Sequence, residues 1–396
     1  MAVSINELAD LVQRSDKIIN HIKTHIFSPD GEKVFDKAFK IGEASSLIGR
    51  HPTTIRDAEK QGAISAIRAD ASNARGFTLS EINKARRHFN TMPRLEANEE
   101  PAVLAVQNFK GGVGKTSLAV HLSQWLAIRG FRVLLIDLDS QASATTLFGY
   151  TPDMDIDAED TLLPFFEGEQ RTMHYAIRDT TIENLSLIPA NLQLYNAEYM
   201  VAANHAQRPI YSYLPEGIES IKKDFEVIII DPPPALGMLS INALVAATSL
   251  LIPMPPRMLD FTSSLQFFNM LHETLDEIQG HYQTQIEYDF VKLVTSKKKQ
   301  RNTNEKYARA EDDILDLARR IFGSEYMLDS IIYESTAIDN AASEFKTLFE
   351  IHGQTTSYKS FRTAMASIDA MCEEVLQELL VHWPSISNKL KTASAQ

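Results

Sequence analysis

The stretch that decides the fold runs from residue 103 to residue 128 and reads VLAV, QNFKGGVGKTS and LAVHLSQWLAI in order. The first four residues are apolar and predict a buried strand, and the last eleven have the apolar spacing of a helix. A Gly-rich turn between a strand and a helix directs backbone N–H groups towards one point at the helix N-terminus, a geometry that binds phosphate. The predicted nucleotide-binding residues are Lys110, Gly111, Gly112, Val113, Gly114, Lys115, Thr116 and Ser117.

The two lysines of this loop have different expected roles. Lys115 and Thr116 follow the last glycine of the loop, where a lysine reaches the terminal phosphates and a threonine hydroxyl ligates Mg²⁺. Lys110 stands near the start of the loop, too early to reach its own nucleotide comfortably. A lysine at that position can instead extend to a phosphate that a second subunit holds.

Carboxylates follow two further predicted strands. Residues 131–136 read FRVLLI and precede Asp137 and Asp139, which share one face of the strand because side chains alternate. Residues 225–230 read FEVIII and precede Asp231, which matches the Walker B arrangement, where a carboxylate holds Mg²⁺ through water. Ligands of open α/β sheets bind at the carboxyl ends of strands. The predicted Mg²⁺ site comprises Thr116, Asp137 and Asp231.

The chain has three parts by its patterns. The apolar spacing of residues 4–26 predicts one amphipathic helix, and Ser4 and Glu7 have the spacing of a capping box. Residues 91–100 have the composition of a linker. From residue 101 onward, apolar strands alternate with helical patterns. That alternation predicts an α/β fold with a doubly wound, mainly parallel sheet.

The region between helix and linker is basic, although the whole chain has a net charge of −13. Residues 40–95 contain 10 Lys and Arg against 5 Asp and Glu, and the local field governs DNA binding. Residues 41–62 predict two helices joined by a turn at Gly49, with Pro52 opening the second helix. A helix held in this way fits a major groove. The predicted DNA-contacting residues in this region are Arg50, Thr53, Thr54, Arg56, Arg68 and Arg75.

The loop KGGVGKT resembles the deviant Walker A box of the ParA/MinD family of ATPases, and residues 137–141, DLDSQ, resemble the family's second motif, in which proline is common at the position of Ser140. The resemblance implies ATP and ADP as ligands with Mg²⁺, and a homodimer that sandwiches the nucleotides. It also implies three catalytic residues. Lys110 acts across the dimer interface, Lys115 binds the phosphates, and Asp139 orients the attacking water.

Residues 41–76 resemble the winged helix-turn-helix of MerR-type regulators, except that His51 stands where serine often precedes the proline. With this region and the extra helix, the chain resembles the large plasmid-type ParA partition proteins, including the RepA proteins of some plasmids. The resemblance implies ATP-driven segregation of plasmid DNA with a ParB-like centromere-binding partner. It also implies operator binding that represses the protein's own operon, and a cytoplasmic, nucleoid-associated protein.

The resulting division has a dimerisation helix in residues 1–30, a winged helix-turn-helix in residues 31–97 and a P-loop ATPase in residues 98–396. A second, sequence-independent surface for nucleoid DNA is predicted at the densest basic cluster of the ATPase domain. Phosphate contacts of this kind bind without reading sequence, although a basic run is equally often only a solvated face. The predicted residues of this surface are Lys297, Lys298, Lys299 and Arg301.

Several alternatives stay open at this level. The apolar stripe of residues 4–26 packs either against its own chain or against a second copy, and the two helices of residues 41–62 serve either DNA or protein contacts. A nucleotide-responsive repressor without significant turnover is an alternative function, against which Asp139 argues. A MinD-like membrane ATPase needs a basic amphipathic C-terminal helix, whereas residues 373–380 read EEVLQELL, so we expect no membrane partner. The single cysteine, Cys372, excludes a disulfide framework and fits a reducing cytoplasm.

Overall fold

The computed structural model describes residues 4–22, 33–69, 74–152, 154–203, 208–282, 285–300, 305–351 and 357–394. Its strands are β1 Ile67–Ala69, β2 Ala74–Gly76, β3 Ala102–Val106, β4 Val133–Asp137, β5 Arg178–Asp179, β6 Leu185–Ile188, β7 Val227–Asp231, β8 Ser249–Met254, β9 Phe290–Lys298 and β10 Met327–Tyr333. Its α-helices are α1 Ile5–Ile22, α2 Ile41–Ile48, α3 Pro52–Lys60, α4 Leu79–Phe89, α5 Lys115–Ile128, α6 Ser143–Leu147, α7 Leu163–Glu167, α8 Asn196–Ala203, α9 Tyr213–Ile221, α10 Met238–Ala246, α11 Met258–Tyr282, α12 Glu305–Phe322, α13 Thr336–Ser343, α14 Tyr358–His382 and α15 Pro384–Ser394.

Strands β3 to β10 form one sheet in the order β10-β9-β8-β3-β7-β4-β6-β5. Neighbouring strands are parallel, apart from the short edge strand β5, which is antiparallel to β6. A parallel sheet has to be covered on both faces, and β3, β4 and β7 are accordingly buried along their whole length. These features confirm the predicted doubly wound, mainly parallel sheet.

The sheet topology brings the predicted site residues to one edge. Strand β3 lies between β7 and β8, while the chain passes from β3 through α5 to β4, so the strand order changes direction at β3. Open α/β sheets bind their ligands at such a switch point. Strands β4 and β7 pair in register up to their last residues, which places Asp137 directly beside Asp231. The predicted strands are confirmed, although β4 and β7 each begin two residues later than expected, at Val133 and Val227.

The N-terminal region forms two short helices, a hairpin and a third helix, α4. Helix α2 ends at Ile48, and its C-cap Gly49 has a φ of 70°, the left-handed conformation that glycine adopts without strain. Helix α3 follows, and the His51 side chain caps it by accepting a hydrogen bond from the Thr53 N–H at 3.4 Å. Strands β1 and β2 then pair antiparallel with Arg68 opposite Arg75. The side chains of these two arginines lie outside the described part of the structure.

Apolar side chains of this N-terminal region and of the ATPase domain form one continuous core. Ile48 of α2 and Ile55 of α3 belong to the same buried cluster as Trp125 of α5 and Met371 of α14. The helix pair is therefore docked on the face of the ATPase domain that α5 and α14 cover. A separate module joined only by a linker would have a core of its own.

Arg86 of α4 is the main polar contact across this junction. Its side chain is 1% exposed, and its Nε, Nη1 and Nη2 donate hydrogen bonds to Leu47 O at 2.9 Å, Asn83 Oδ1 at 2.7 Å and Ile128 O at 2.8 Å. Burial is the main cause that lowers the pKa of this guanidinium to about 9. Ile128 is the last residue of α5, so the positive charge lies at the negative end of the helix dipole.

The segment of residues 91–100, which the composition predicts to be a linker, packs against the ATPase domain. Arg94 Nη1 donates a hydrogen bond to Gly130 O at 2.7 Å. Trp383 Nε1 donates one to Glu100 O at 2.9 Å. These contacts fix the segment to the ATPase domain at Arg94 and at Glu100, so the connection between the two regions is packed on that domain.

Helix α1 has the predicted capping box and an uncovered apolar stripe. Ser4 N–H donates to Glu7 Oε2 at 2.7 Å, and Glu7 N–H donates to Ser4 Oγ at 3.3 Å. The predicted end of the helix, residues 23–26, lies outside the described residues. Large apolar side chains exposed on α1 are Ile5, Leu8, Leu11, Val12 and Ile18. The part of the stripe whose side chains the structure describes is thus exposed in the single chain. Among the described residues, no helix is both long and apolar enough to cross a bilayer.

Replacing Arg86 by Met should destabilise the protein, because the Leu47 and Ile128 carbonyls would lose their donor in a site closed to water. We expect the free energy of unfolding to fall by about 2–4 kcal/mol, as for other buried polar groups left unpaired. Arg87→Met, on the exposed side of the same helix, is the matched control. Urea unfolding followed by circular dichroism measures both variants, and equal stabilities would contradict the role given to Arg86.

Candidate nucleotide site

The loop after β3 has the geometry of a phosphate-binding cradle. Gly112 and Gly114 have φ values of 76° and 100°, which strain any residue with a Cβ, and Gly114 is the N-cap of α5. The buried Asn108 side chain fixes the start of the loop, because its Oδ1 accepts a hydrogen bond from the Lys110 N–H at 3.0 Å and its Nδ2 donates to Pro253 O at 2.8 Å. The positive end of the α5 dipole is thereby held at the carboxyl edge of the sheet.

Lys115 lies inside this site and not on its surface. It is the first residue of α5 and only 7% exposed. Burial lowers the pKa of its ammonium, while the nearby carboxylates of Asp231 and Asp139 act in the opposite direction. The structure thus brings the predicted phosphate-binding lysine and two predicted carboxylates into one cluster of charges.

Asp137 and Asp231 form a buried carboxylate pair but have different partners. Burial is the main cause that raises the pKa of Asp137 to about 7 and that of Asp231 to about 8, and the charge of Asp137 adds to the rise at Asp231. Oδ2 of Asp137 accepts from the Thr145 N–H and hydroxyl at 2.9 and 2.8 Å, and its Oδ1 accepts from the Asp139 N–H at 3.2 Å. Neither side-chain oxygen of Asp231 has a hydrogen-bond partner that meets the usual distance and angle limits. The Thr116 side chain nevertheless acts to lower the pKa of Asp231.

The partners of these two carboxylates indicate which one fits a metal ion. A buried carboxylate without hydrogen bonds is costly unless a cation accompanies it. Mg²⁺ prefers oxygen ligands and keeps several of its waters, so Asp231 and the Thr116 hydroxyl fit such an ion. Asp137 instead holds Thr145 and the backbone of Asp139, so its contacts position the loop that follows β4.

Asp139 lies at the partly open edge of the cluster. Its Oδ1 accepts a hydrogen bond from the Gln141 N–H at 2.9 Å. The charge of Asp139 opposes the fall that burial causes in the pKa of Lys115. Asp139 is partly exposed, so water can reach its carboxylate.

Lys110 has a partner within its own subunit. Its ammonium forms an ion pair with Asp260 in the first turn of α11. The two residues line an open pocket together with the exposed side chains of Met258 and Leu259. The family resemblance implies that the Lys110 ammonium contacts a phosphate in a second subunit. In the single chain, this ammonium instead contacts α11.

The sequence did not predict a second pocket, which adjoins the loop on the side of β9 and β10. It has a volume of about 190 Å³. Its lining includes Gly114 and His121, the N-cap and a residue of α5, and also Lys297, Ser335 and Asp339. These residues come from segments that are far apart in the sequence, and only the common edge at which β9 and β10 end could have indicated that they meet.

The basic run after β9 does not form the single DNA-binding surface that we predicted. Lys297, with a φ of 52°, lies over the P-loop, its Cε 3.9 Å from the point where a Cβ on Gly114 would stand. Lys298 is 5% exposed, and its Nζ pairs with a carboxylate of α12 at 2.6 Å. The prediction is therefore wrong for Lys298, whose ammonium is closed to phosphate. Lys299 is exposed, and Arg301 lies outside the described residues.

The residues predicted to contact DNA on the helix pair differ in their surroundings. Thr53, Thr54 and Arg56 are exposed on α3. Arg50 is directed towards its own domain, because its Nη1 donates to Gly49 O at 2.8 Å and its Nη2 donates to Phe89 O at 3.2 Å. These bonds stabilise the turn and argue against the predicted DNA contact of Arg50.

Comparison with known proteins identifies the family. A profile described as an AAA domain matches residues 101–288. Protein SopA of Escherichia coli strain K12 is 35% identical over 366 residues, which are 89% of this chain and 91% of SopA. A solved partition protein has a TM-score of 0.58 and 20% identity, over 87% of this chain and 96% of its own, which is a likeness of fold. The cobyrinic acid a,c-diamide synthase of Mycobacterium smegmatis, solved with an ATP analogue and magnesium, has a TM-score of 0.54 and 25% identity, over 70% of this chain and 94% of its own.

The likeness to SopA covers 89% of this chain and 91% of SopA. The structure agrees with this likeness. The P-loop after β3 and the carboxylates at the ends of β4 and β7 form one site at the switch point of the sheet. The chain belongs to the ParA-type family of plasmid partition ATPases.

Proposed function

We propose that this partition ATPase segregates plasmid DNA by coupling ATP binding and hydrolysis to dimerisation, DNA binding and contact with a ParB-like partner. The observation that carries the proposal is the buried cluster of Lys115, Asp137 and Asp231 beneath the P-loop. A cluster of this kind is stabilised when a phosphate and a cation complete its charges. The ATP analogue and magnesium in the related cobyrinic acid a,c-diamide synthase support these ligands, and the likeness to SopA supports the partition role.

Four residues of the site have roles in hydrolysis. Lys115 neutralises the terminal phosphates at the N-terminus of α5, and Asp231 with Thr116 holds the metal ion. Mg²⁺, when bound, stabilises the charge of the phosphoryl group that is transferred. Asp139 orients the attacking water from the open edge of the site. Phosphoryl transfer needs this positioning and charge stabilisation more than covalent chemistry.

The pocket beside the P-loop is the place for the nucleoside. It begins at Gly114, next to the phosphate cradle, and extends to Ser335 and Asp339 after β10. Polar groups at its rim and apolar side chains within it are typical of sites for a base and a sugar. Lys297, whose side chain lies over the loop, contacts nucleotide in this proposal and not DNA.

Dimerisation uses two surfaces in this proposal. At the nucleotide, Lys110 exchanges Asp260 for a phosphate that the second subunit holds, and the dimer covers the exposed Met258 and Leu259. At the N-terminus, the apolar stripe of α1 packs against its counterpart independently of nucleotide. Apolar stripes left exposed on a helix are typical of such contacts.

Two DNA-binding modes serve partition and autorepression. Helix α3 reads the operator through Thr53, Thr54 and Arg56, with Arg68 and Arg75 on the β1–β2 wing. In its ATP-bound state, the protein holds nucleoid DNA by phosphate contacts. Of the predicted basic cluster, Lys299 and Arg301 remain as candidates for these contacts. The protein then acts in the cytoplasm on the nucleoid.

Asp231→Asn should stabilise the nucleotide-free protein, because it removes a carboxyl group that resists ionisation. The folded pKa of Asp231, about 8, lies above that of an unfolded aspartate, about 3.9. The wild-type protein therefore loses stability as the pH rises from about 4 to about 8. Calorimetric melting at about pH 6 and pH 8 should show a smaller fall for Asp231→Asn than for wild type. The exposed Asp179→Asn is the control, and an equal fall in all three proteins would contradict the raised pKa.

Lys115→Ala should lose nucleotide binding, whereas Asp139→Ala should keep it and lose about a hundredfold in turnover, the order expected for one catalytic carboxylate. Calorimetric titration with ATP measures binding, and phosphate release in the presence of DNA measures turnover. Wild-type turnover by Asp139→Ala would contradict the role of this residue. An active site that never turns over in the wild type would instead favour a nucleotide-responsive repressor.

Lys110→Ala should still bind ATP but fail to form the ATP-dependent dimer, since the trans contact is lost. Asp260→Asn should strengthen that dimer by about tenfold, because it weakens the ion pair that competes for Lys110, an effect of about 1.4 kcal/mol. Sedimentation with a non-hydrolysable ATP analogue measures both, after removal of residues 1–30. Unchanged association of Lys110→Ala would show that the lysine acts only within its own subunit.

Arg56→Ala should weaken operator binding by about 1–3 kcal/mol if its guanidinium contacts a base, and leave ATP-dependent binding to random DNA unchanged. Lys299→Ala should have the opposite pattern and flatten the salt dependence on random DNA. Electrophoretic mobility shifts with operator and random fragments at several salt concentrations distinguish the two. Equal losses of both activities in both variants would exclude separate DNA-binding surfaces.

A further inference from the structure

A half-buried lysine from the N-terminal part of the chain contacts the ATPase domain. We call residues 33–39, which precede α2, the N-terminal arm. Lys33 Nζ donates hydrogen bonds to Leu147 O at 2.5 Å and Phe345 O at 3.1 Å, and it pairs with Glu350 Oε1 at 2.8 Å. An ammonium group has three N–H donors, so each donor has its own acceptor. Burial lowers the pKa of Lys33, and the charge of Glu350 opposes that change.

The acceptors belong to a socket shaped for this side chain, and we call Leu147, Gly149, Phe345 and Glu350 the Lys33 socket. Gly149 has a φ of 91°, and a Cβ there would lie 3.0 Å from Lys33 Cδ. Phe345 has a φ of 55°, a conformation that persists only where the surroundings hold it. The Glu350 side chain is 6% exposed, and a buried carboxylate without its cation is strongly disfavoured. The socket is therefore built around the lysine.

One side of the socket leads to the carboxylates of the nucleotide site. Leu147 is the last residue of α6. The same helix carries Thr145, whose N–H and hydroxyl hold Asp137 Oδ2 at 2.9 and 2.8 Å. Helix α6 is only five residues long, so a displacement at its Asp137 end also moves the carbonyl that accepts from Lys33.

The other side of the socket leads to the nucleoside pocket. The segment after α13 that contains Phe345 and Glu350 also contains Lys346, which lines that pocket. Within the same segment, the Leu348 N–H donates to Nε2 of His121 at 3.3 Å. His121 is a residue of the P-loop helix α5 and also lines the pocket. Lys33 thus joins the two flanks of the nucleotide site.

We propose that the Lys33 socket is a nucleotide-sensitive anchor, which closes more tightly on the N-terminal arm when the nucleotide site is filled. The inference rests on the proposed function, because it requires that this site binds ATP. A ligand shifts a conformational equilibrium only if it binds one state better, and a nucleotide held between α5 and α13 favours the state in which both flanks are ordered. Because binding linkage is reciprocal, an occupied socket also strengthens nucleotide binding. The arm lies between α1 and α2, so the anchor reports the nucleotide state to both N-terminal elements.

Lysine acetylation of the full-length wild-type protein by an N-hydroxysuccinimide ester, read by mass spectrometry, tests the anchor. Saturating ATP with Mg²⁺ should slow modification of Lys33 by about fivefold or more, the lower end of typical coupling factors. Lys37 is the internal control, since it lies on the same arm but its ammonium sits over the Phe39 ring, 5.1 Å from the centroid. Its modification rate should not change. A Lys33 rate that is unaffected or increased by ATP would overturn the proposal.

Two variants extend the test through linkage. Lys33→Met should weaken ATP binding by the same factor by which ATP protects Lys33, whereas Lys37→Met should leave ATP affinity unchanged. Calorimetric titration measures both. If the wild type binds no ATP, the proposed function fails. If it binds ATP with the Lys33 rate unchanged, only the anchor fails. Labelling of the wild type decides the matter even if Lys33→Met does not fold.

Discussion

The structure depends on one costly arrangement, two carboxylates side by side in a site closed to water. Parallel strands β4 and β7 pair in register to their ends, so Asp137 and Asp231 lie directly side by side. Burying like charges raises their pKa values. The remaining parts of the site offset that cost, because Thr145 binds one carboxylate, Lys115 opposes the charge of the other, and the α5 N-terminus adds a positive dipole. What is left uncompensated at Asp231 is the part that a cation fits.

Much of this site could be predicted from sequence because its elements are local. A P-loop is one continuous run, and Asp137 and Asp231 each follow an apolar strand, so their meeting at one edge follows from the geometry of parallel sheets. The pocket beside the P-loop could not be predicted, since Gly114 and Ser335 come together only through tertiary packing. Lys298 was misassigned for a related reason. A run of lysines in a sequence has no sidedness, whereas the end of a strand sends alternate side chains to opposite faces.

In the N-terminal region too, local structure could be predicted from the sequence and tertiary contacts could not. Its helices, their turn and its caps follow from local signals such as Gly49 and Ser4. Its attachment does not. The junction depends on the contact of Arg86 with the end of α5, and on the contact of Lys33 with the socket between α6 and the segment after α13. The sequence around either basic residue does not differ from that around an exposed one. Both contacts reach elements that also touch the nucleotide site.

The shared core has a consequence for how such proteins diversify. The boundary near residue 97 is visible in the sequence, yet the packing passes across it without a break. Exchange of the N-terminal region between two partition ATPases by recombination at that boundary would bring together surfaces that had not evolved with each other. If α3 reads an operator, as we propose, a new specificity is more easily acquired by substitution on the outer face of α3, where Thr53, Thr54 and Arg56 take no part in the core. The buried side of the helix pair is then inherited together with the ATPase.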